Sequence, residues 1–393
     1  MRDRTAVFAV FALDGAAFGS WAPRTPAIAG QVHAEPGAFG LALLCASVGM
    51  LCAATVSGRI IERTGARAVI AASAAAACAA LVLVGFANSV VLLGGALFAM
   101  GASVGALDVS MNVAGVAVER STGQAVMPLL HAGYSFGALA ASLAASLAAG
   151  HGWTPGRHLT VAAGVAFVVL LIIIRSVPGA RPQHTDEPVA SPYSAPIRRP
   201  VLWLLAAVAL CSAIAEGAST DWSALLMATV HDVDQGAAAL AFSGFALAMA
   251  IARVGGAWTQ RRFGATRSLA AGAAVAALGF FAAAVVPLPV FGYVGFALAG
   301  AGLAAAFPLA LSLAGDAGKR SDGTGGEREL AFVTAIAYTG FLAGPPIVGG
   351  IAQVTSLSVS FVFVTVMAAL IVPASLAARR VRRREEVRSP VRR

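Results

Sequence analysis

Apolar runs of about 20 residues recur from one end of this chain to the other. A run of that length crosses the ~30 Å hydrocarbon layer of a bilayer as an α-helix. Hydrocarbon offers no partner to a backbone N–H or C=O, so each crossing segment must satisfy its own backbone. The runs fall near 5–28, 37–58, 68–87, 89–117, 128–149, 159–176, 200–227, 237–259, 267–286, 289–313, 329–352 and 357–377. They predict an all-α integral membrane protein with twelve transmembrane helices. Composition agrees: 59% of the 393 residues are hydrophobic and 11% charged, against roughly 45–50% and about 25% in soluble domains. So few charges would leave a soluble surface uncovered. The opening "MRDR" and the run behind it read as a retained first helix. That run is too long for a signal-peptide core, and no small-residue cleavage site precedes a polar domain.

The loops alternate in charge. Arg59, Arg63 and Arg67, then Arg120, Arg181, Arg198 and Arg199, then Arg261, Arg262 and Arg267, then Lys319, Arg320 and Arg328 lie on one side, with "MRDR" and the tail. The loops 29–36, 228–236, 287–288 and 353–356 and the turn at Asn88 carry no Lys or Arg, and Arg157 is the exception. The positive-inside rule then places both termini in the cytoplasm of a multi-pass cell-membrane protein. The longest polar segment, "VPGARPQHTDEPVASPYSAPIRRP" (177–200), is proline-rich and separates spans six and seven. It reads as a flexible linker. The expected domains are a six-helix bundle over 1–176, a linker over 177–199, a second six-helix bundle over 200–378 and a basic cytoplasmic tail over 379–393.

The formal net charge of +9 does not indicate nucleic acid. Eight arginines lie in "RRVRRREEVRSPVRR" (379–393) with no interleaved aromatic residue. Such a tail sets topology and meets anionic lipid headgroups. Cys45, Cys52, Cys78 and Cys211 lie inside apolar runs, with no metal or disulfide spacing. There is no G-x-x-x-x-G-K-[ST], no H-E-x-x-H and no compact nucleophile–base set. Hence no catalytic residue, metal or cofactor is expected, and the chain is not read as an enzyme.

The two halves echo each other. "SGRIIERTGARAV" (57–69) follows span two and "GGAWTQRRFGATRSL" (255–269) follows span eight; aligning Gly65 with Gly264 aligns Arg63 with Arg262. "DGAAFGSW" (14–21) in span one is echoed by "EGASTDW" (216–222) in span seven. Weak internal symmetry of this kind accompanies transporters built from repeats. "GRIIERTGAR" (58–67) resembles the loop between helices two and three of the major facilitator superfamily, with Glu62 where that family usually has Asp and Ala66 at a basic position. "GFLAGPPIVGG" (340–350) is similar to a Gly-Pro signature of the same superfamily. It falls on span eleven, whereas the antiporter motif lies on helix five, so it does not argue for antiport. The resemblance covers essentially the whole chain. It implies two pseudo-symmetric six-helix bundles, with Gly58, Glu62, Arg63, Gly65 and Arg67 as an inner-gate motif. "DVSMN" (108–112) is similar to an acid-x-x-x-Asn element of fucose-permease-like sugar:proton symporters. That likeness implies a transporter and does not imply fucose.

Polar residues inside the spans are the candidates for chemistry. An ionised Asp at the bilayer centre costs about 2.5–3.5 kcal/mol on insertion scales, and a leucine recovers about 0.5 kcal/mol. Asp14 therefore faces the protein interior or a cavity, as a proton-coupling or substrate-binding carboxylate or as a hydrogen-bonded packing residue. Gly101, Gly105, Asp108 and Asn112 share one face of span four. Asp108 and Asn112 are expected either to couple and gate or to form a structural clasp. On span seven, Glu216 is the deeper acid and the better cavity candidate. Asp221 sits five residues on, about 140° around the helix, and is expected to latch to Arg24 at the outer end of span one. Trp21 and Trp222 read as interfacial anchors or as flat faces for a substrate. His131 and Tyr134 of span five read as cavity or interface residues, with His131 a possible proton relay. Arg253 is expected to snorkel. Glu62 is expected to accept from helix N-termini or arginines across the inner seam, and Arg63 and Arg67 to meet acidic helix ends. Simple charge anchoring is the alternative.

The expected function is a secondary active transporter of a small solute, proton-coupled, working as a monomer by alternating access. A proton-driven efflux antiporter for drug-like or metabolite compounds is the alternative. A transport-inactive membrane sensor or interaction protein is the rival of another class.

Overall fold

The computed structural model describes residues 2–124, 126–181, 196–319 and 326–388. Linker residues 182–195, Arg320 and tail residues 389–393 lie outside the described residues. Among the described residues, twelve helical spans are long and apolar enough to cross a membrane. In chain order they are α1 (Asp3–Gln31), α2 (Pro36–Thr64), α3 (Ala66–Phe86), α4 (Val90–Thr122), α5 (Met127–Gly150), α6 (Pro155–Ser176), α7 (Pro200–Thr229), α8 (Gln235–Gly256), α9 (Ala265–Val285), α10 (Pro289–Gly318), α11 (Glu327–Val354) and α12 (Leu357–Glu385). Helix continues beyond α8 to Phe263 and beyond α12 to Arg388. Each matches one apolar run, and the helices outlast the runs because polar turns such as Glu119–Thr122 keep helical geometry. Starts follow local chemistry. Pro36, Pro155 and Pro289 open helices where no N–H is needed. Ser89 and Thr154 cap α4 and α6 by accepting from Leu92 and Arg157.

The chain divides into two compact units. The first comprises Met1–Asp186 with Asp221–Ala246, and the second comprises Glu187–Thr220 with Leu247–Arg393. The division differs from the bundle boundaries read in sequence, because the bare-loop ends of α7 and α8 pack with the first unit.

Within the first unit, α1 lies backbone-to-backbone on α5. A Cβ at Gly15 would sit 1.9 Å from the Tyr134 carbonyl oxygen, and one at Gly137 would sit 1.9 Å from that of Ala12. Packing through small residues supplies the close van der Waals contact on which helix association in lipid depends. Gly101 and Gly105 play the same part for α4 against Ala46 and Met50 of α2. At the bare-loop ends, Ser146 Oγ donates to Gly236 O at 2.6 Å and Ser243 Oγ to Ser142 Oγ at 2.9 Å, both joining α5 to α8. Phe39 of α2 meets Trp222 of α7 edge-on at 5.6 Å.

Within the second unit, Phe280, Phe296 and Phe361 are fully buried and meet ring to ring at 5.5–6.4 Å, joining α9, α10 and α12. α10 is interrupted at Ala304–Ala305. Such a break leaves carbonyls without intrahelical partners.

The sequence echo is written into the backbone. Gly65 between α2 and α3 has φ 83° and ψ 154°, and Gly264, which starts α9, has φ 83° and ψ 152°. An L-residue in this essentially glycine-only conformation is strained by about 1–3 kcal/mol. Gly264→Ala isolates that strain, because nothing lies within 4 Å of its added Cβ. At Gly65 the Cβ also meets the Gly179 carbonyl oxygen at 3.2 Å. Thermal unfolding in detergent should therefore show both variants destabilised, with Gly65→Ala the worse. Equal melting temperatures for the two would remove the Gly179 contact from the account.

Candidate functional site

The first unit gathers the acids of α1 and α4 around α5. Asp14 is only 2% exposed, and its Oδ1 has no hydrogen-bond partner among the described atoms. Asp14 and Asp108 are close enough to act on each other's charge, and so are Asp108 and His131. Asn112 Nδ2 donates to Asp108 Oδ1 at 3.2 Å and to Asp108 O at 2.8 Å. The clasp expected of this pair is thus local to α4, one turn apart. His131 is exposed and meets the Phe11 ring edge-on at 5.1 Å; half-buried Tyr134 lies against Phe18 at 6.4 Å. Asp14, Asp108 and Asn112, and His131 thus sit on α1, α4 and α5 respectively, with the Asp108–Asn112 pair the one hydrogen-bonded link among them in the described residues. A buried carboxyl oxygen without a hydrogen-bond partner inside a membrane span is a place where one proton can be held.

The second unit holds a different arrangement. Glu216 Oε1 of α7 pairs with Arg253 Nη2 of α8 at 3.6 Å, and Arg253 Nε donates to Ala304 O at 3.4 Å, at the break in α10. Arg253 thus does not snorkel. It has an acid and a freed carbonyl within reach, which cost less than stretching to headgroups. The available signal was that intramembrane acids and bases pair with one another. Arg253 is nearly half exposed, so a double-mutant cycle of Glu216→Gln and Arg253→Gln should give a coupling near 1 kcal/mol in stability. No coupling would mean that the pair is geometric only.

At the other end of α1, Arg24 is 1% exposed and its Nη2 donates to Trp153 O at 2.5 Å, while Nε and Nη1 have no partner among the described atoms. No ion pair joins Arg24 to Asp221 among the described residues, so the expected latch is not formed here. Arg24 turns instead toward the start of α6, where His158 also lies within reach of its charge. Asp221 is half-buried. Arg157, the exception to the bare loops, stacks on Trp153 with its guanidinium carbon 4.1 Å from the ring centre. Trp21 and Trp222 are buried by protein, so neither is an interfacial anchor, and Trp222 presents no open face because Phe39 covers it.

Within the loop motif, Arg67 departs from expectation. Arg67 Nε donates to Val177 O at 2.5 Å, Ala66 N to Ala180 O at 2.8 Å, and Arg181 Nη2 to Arg63 O at 3.5 Å. The motif binds the exit of α6 within its own unit, since a helix end leaves carbonyls for a cation to collect. Glu62 and Arg63 are exposed, and Gly58 is half-buried with open space beside it. The expected linker is accordingly pinned at both described ends. At its far end, Arg199 bonds Ala317 O at 2.8 Å, Glu329 at 3.5 Å and Glu385 at 3.1 Å.

Known proteins resemble this chain in sequence and in fold. Its sequence matches the Major Facilitator Superfamily over residues 6–326 and 222–393. An uncharacterised MFS-type transporter of Yersinia pestis is 30% identical over 89% of both chains. An uncharacterised transporter of Sinorhizobium fredii is 31% identical over 93% of this chain and 95% of its own. Among solved structures, the nucleoside transporter NupG superposes with a TM-score of 0.75 at 12% identity, covering 96% of this chain and 99% of that one. A bacterial homologue of the human lysosomal transporter Spinster, inward-facing and occupied, gives 0.74 at 15% identity over 96% of both. The chain belongs to the major facilitator superfamily of multi-pass membrane transporters.

Proposed function

We propose that this transporter couples a small neutral or cationic solute to protons, with Asp14 as the coupling acid. The observation that carries the reading is Asp14 itself, enclosed, with one oxygen unpartnered and a second acid within reach. Asp108, Asn112 and His131 extend the path along α4 and α5. Glu216 and Arg253 are the second-unit partners at the solute, and their mutual pairing leaves the unpaired acidity on the first unit, which disfavours anions. In this reading six-helix bundles over 1–176 and 200–378, joined by the linker 177–199, rock in alternating access. Both termini and the tail 379–393 lie in the cytoplasm. The serine and aromatic contacts at the bare-loop ends close the outer side. The chain acts as a monomer.

The test begins with a melting-temperature screen of purified protein against sugars, nucleosides, amino acids and organic cations. A ligand at 100 times its Kd stabilises by about 2.7 kcal/mol. Sugars enter the panel through the acid-x-x-x-Asn likeness and nucleosides through the shared fold of NupG. A ligand so found is then added to proteoliposomes loaded with a pH-sensitive dye. Proton entry together with the ligand supports symport, and exchange in opposite directions supports the efflux alternative. Binding without flux or counterflow would leave only the sensor reading.

A further inference from the structure

The second unit contains a cavity of about 210 Å³ lined by both apolar and cationic side chains. Val201 and Leu205 of α7, Leu269 of α9 and Leu313 of α10 supply the apolar wall; Arg379, Arg382 and Arg383 of the α12 extension supply the cations. Thr266 and Ser375 add hydroxyls. Val201 and Thr266 lie in the first turns of α7 and α9, so residues next to two helix N-termini, which carry partial positive charge, line the same space. Glu385, on the same helix as the arginines, is committed to Arg199 at 3.1 Å.

The first unit shows what this place holds when the chain fills it. Thr266 and Leu269 occupy the register positions of Arg67 and Ile70, counted from the paired turns at Gly264 and Gly65. In the first unit, Val177 is fully buried in the core that contains Ile70, and its carbonyl accepts from Arg67. In the second unit no such segment enters among the described residues, and the arginines of α12 line the space instead.

We infer that this cavity binds the phosphate headgroup of an anionic phospholipid, with the acyl chains leaving along the apolar wall. A basic pocket between membrane helices beside a row of arginines suits that ligand, and the apolar half favours a lipid over a free anion. The site is separate from the acids proposed for coupling, so its failure would not touch that reading.

The test uses the full-length chain in a neutral detergent, with native mass spectrometry counting bound phosphatidylglycerol against phosphatidylcholine. Arg379→Gln/Arg383→Gln removes two cavity charges; Arg380→Gln/Arg384→Gln removes two exposed charges that do not line it. The cavity pair should bind phosphatidylglycerol about thirtyfold more weakly, taking each arginine at its usual worth near a membrane surface. The control pair should stay close to the parent. Ala378→Phe, which fills the space and keeps every charge, should lose binding as well. Equal losses in the two charge pairs, undiminished binding in Ala378→Phe, or a melting-temperature rise with inorganic phosphate matching that with phosphatidylglycerol would each overturn the proposal.

Discussion

Asp14→Asn should abolish proton-driven accumulation and leave exchange intact. One pH unit across the bilayer is worth about 1.4 kcal/mol and sustains about tenfold accumulation at one proton per solute. In the variant the ratio should fall to about one. Counterflow of labelled against unlabelled solute should persist, because a permanently neutral side chain mimics the protonated carboxyl and the carrier still reorients loaded. The substitution is nearly isosteric, and the side chain is 2% exposed with one oxygen unpartnered, so little packing changes. Asp108→Asn separates the two acids. Its carboxylate already accepts from Asn112, so a loss confined to that variant would move the coupling role to α4. Normal accumulation in Asp14→Asn would falsify the coupling role.

The second large effect concerns the serine contact between α5 and α8. Ser142 and Ser243 are buried with their hydroxyl oxygens 2.9 Å apart. A disulfide needs Cβ atoms about 3.5–4.5 Å apart, within reach of such a serine pair. In a background lacking Cys45, Cys52, Cys78 and Cys211, Ser142→Cys/Ser243→Cys should oxidise readily and hold α5 to α8. In the proposed alternating-access cycle, transport should drop at least tenfold, because a carrier held on one side cannot complete the cycle, and a reductant should restore it. Full transport by quantitatively cross-linked protein would show that this contact never has to part.

The twelve spans were legible because hydrocarbon imposes one length and one chemistry on every crossing. The paired turns were legible as well, since only glycine is comfortable at φ 83°. The acids were nameable for the same reason that they are costly. Their partners were not. Glu216 finding Arg253 and Arg24 reaching Trp153 depend on how helices are rotated against one another; only the Asp108–Asn112 pair, one turn apart on α4, could be read from spacing. Rotation in turn follows from close approaches such as Gly15 on Tyr134, which no hydropathy pattern encodes. Trp21 and Trp222 misled for a related reason. An indole near a span end suits the headgroup region, yet here helical neighbours cover both rings.

The α12 helix runs without a break from Leu357 to Arg388, and that has a practical use. At 39.3 kDa, nearly all of it inside a detergent belt, this transporter offers few external landmarks for particle alignment. A rigid helical partner fused in register at Arg388 would stand out from the micelle as a handle. With 1.5 Å of rise and 100° of turn per residue, adding or deleting one residue at the junction would re-aim it predictably. Images of the handle would then report the orientation of the second unit in each state of the transport cycle.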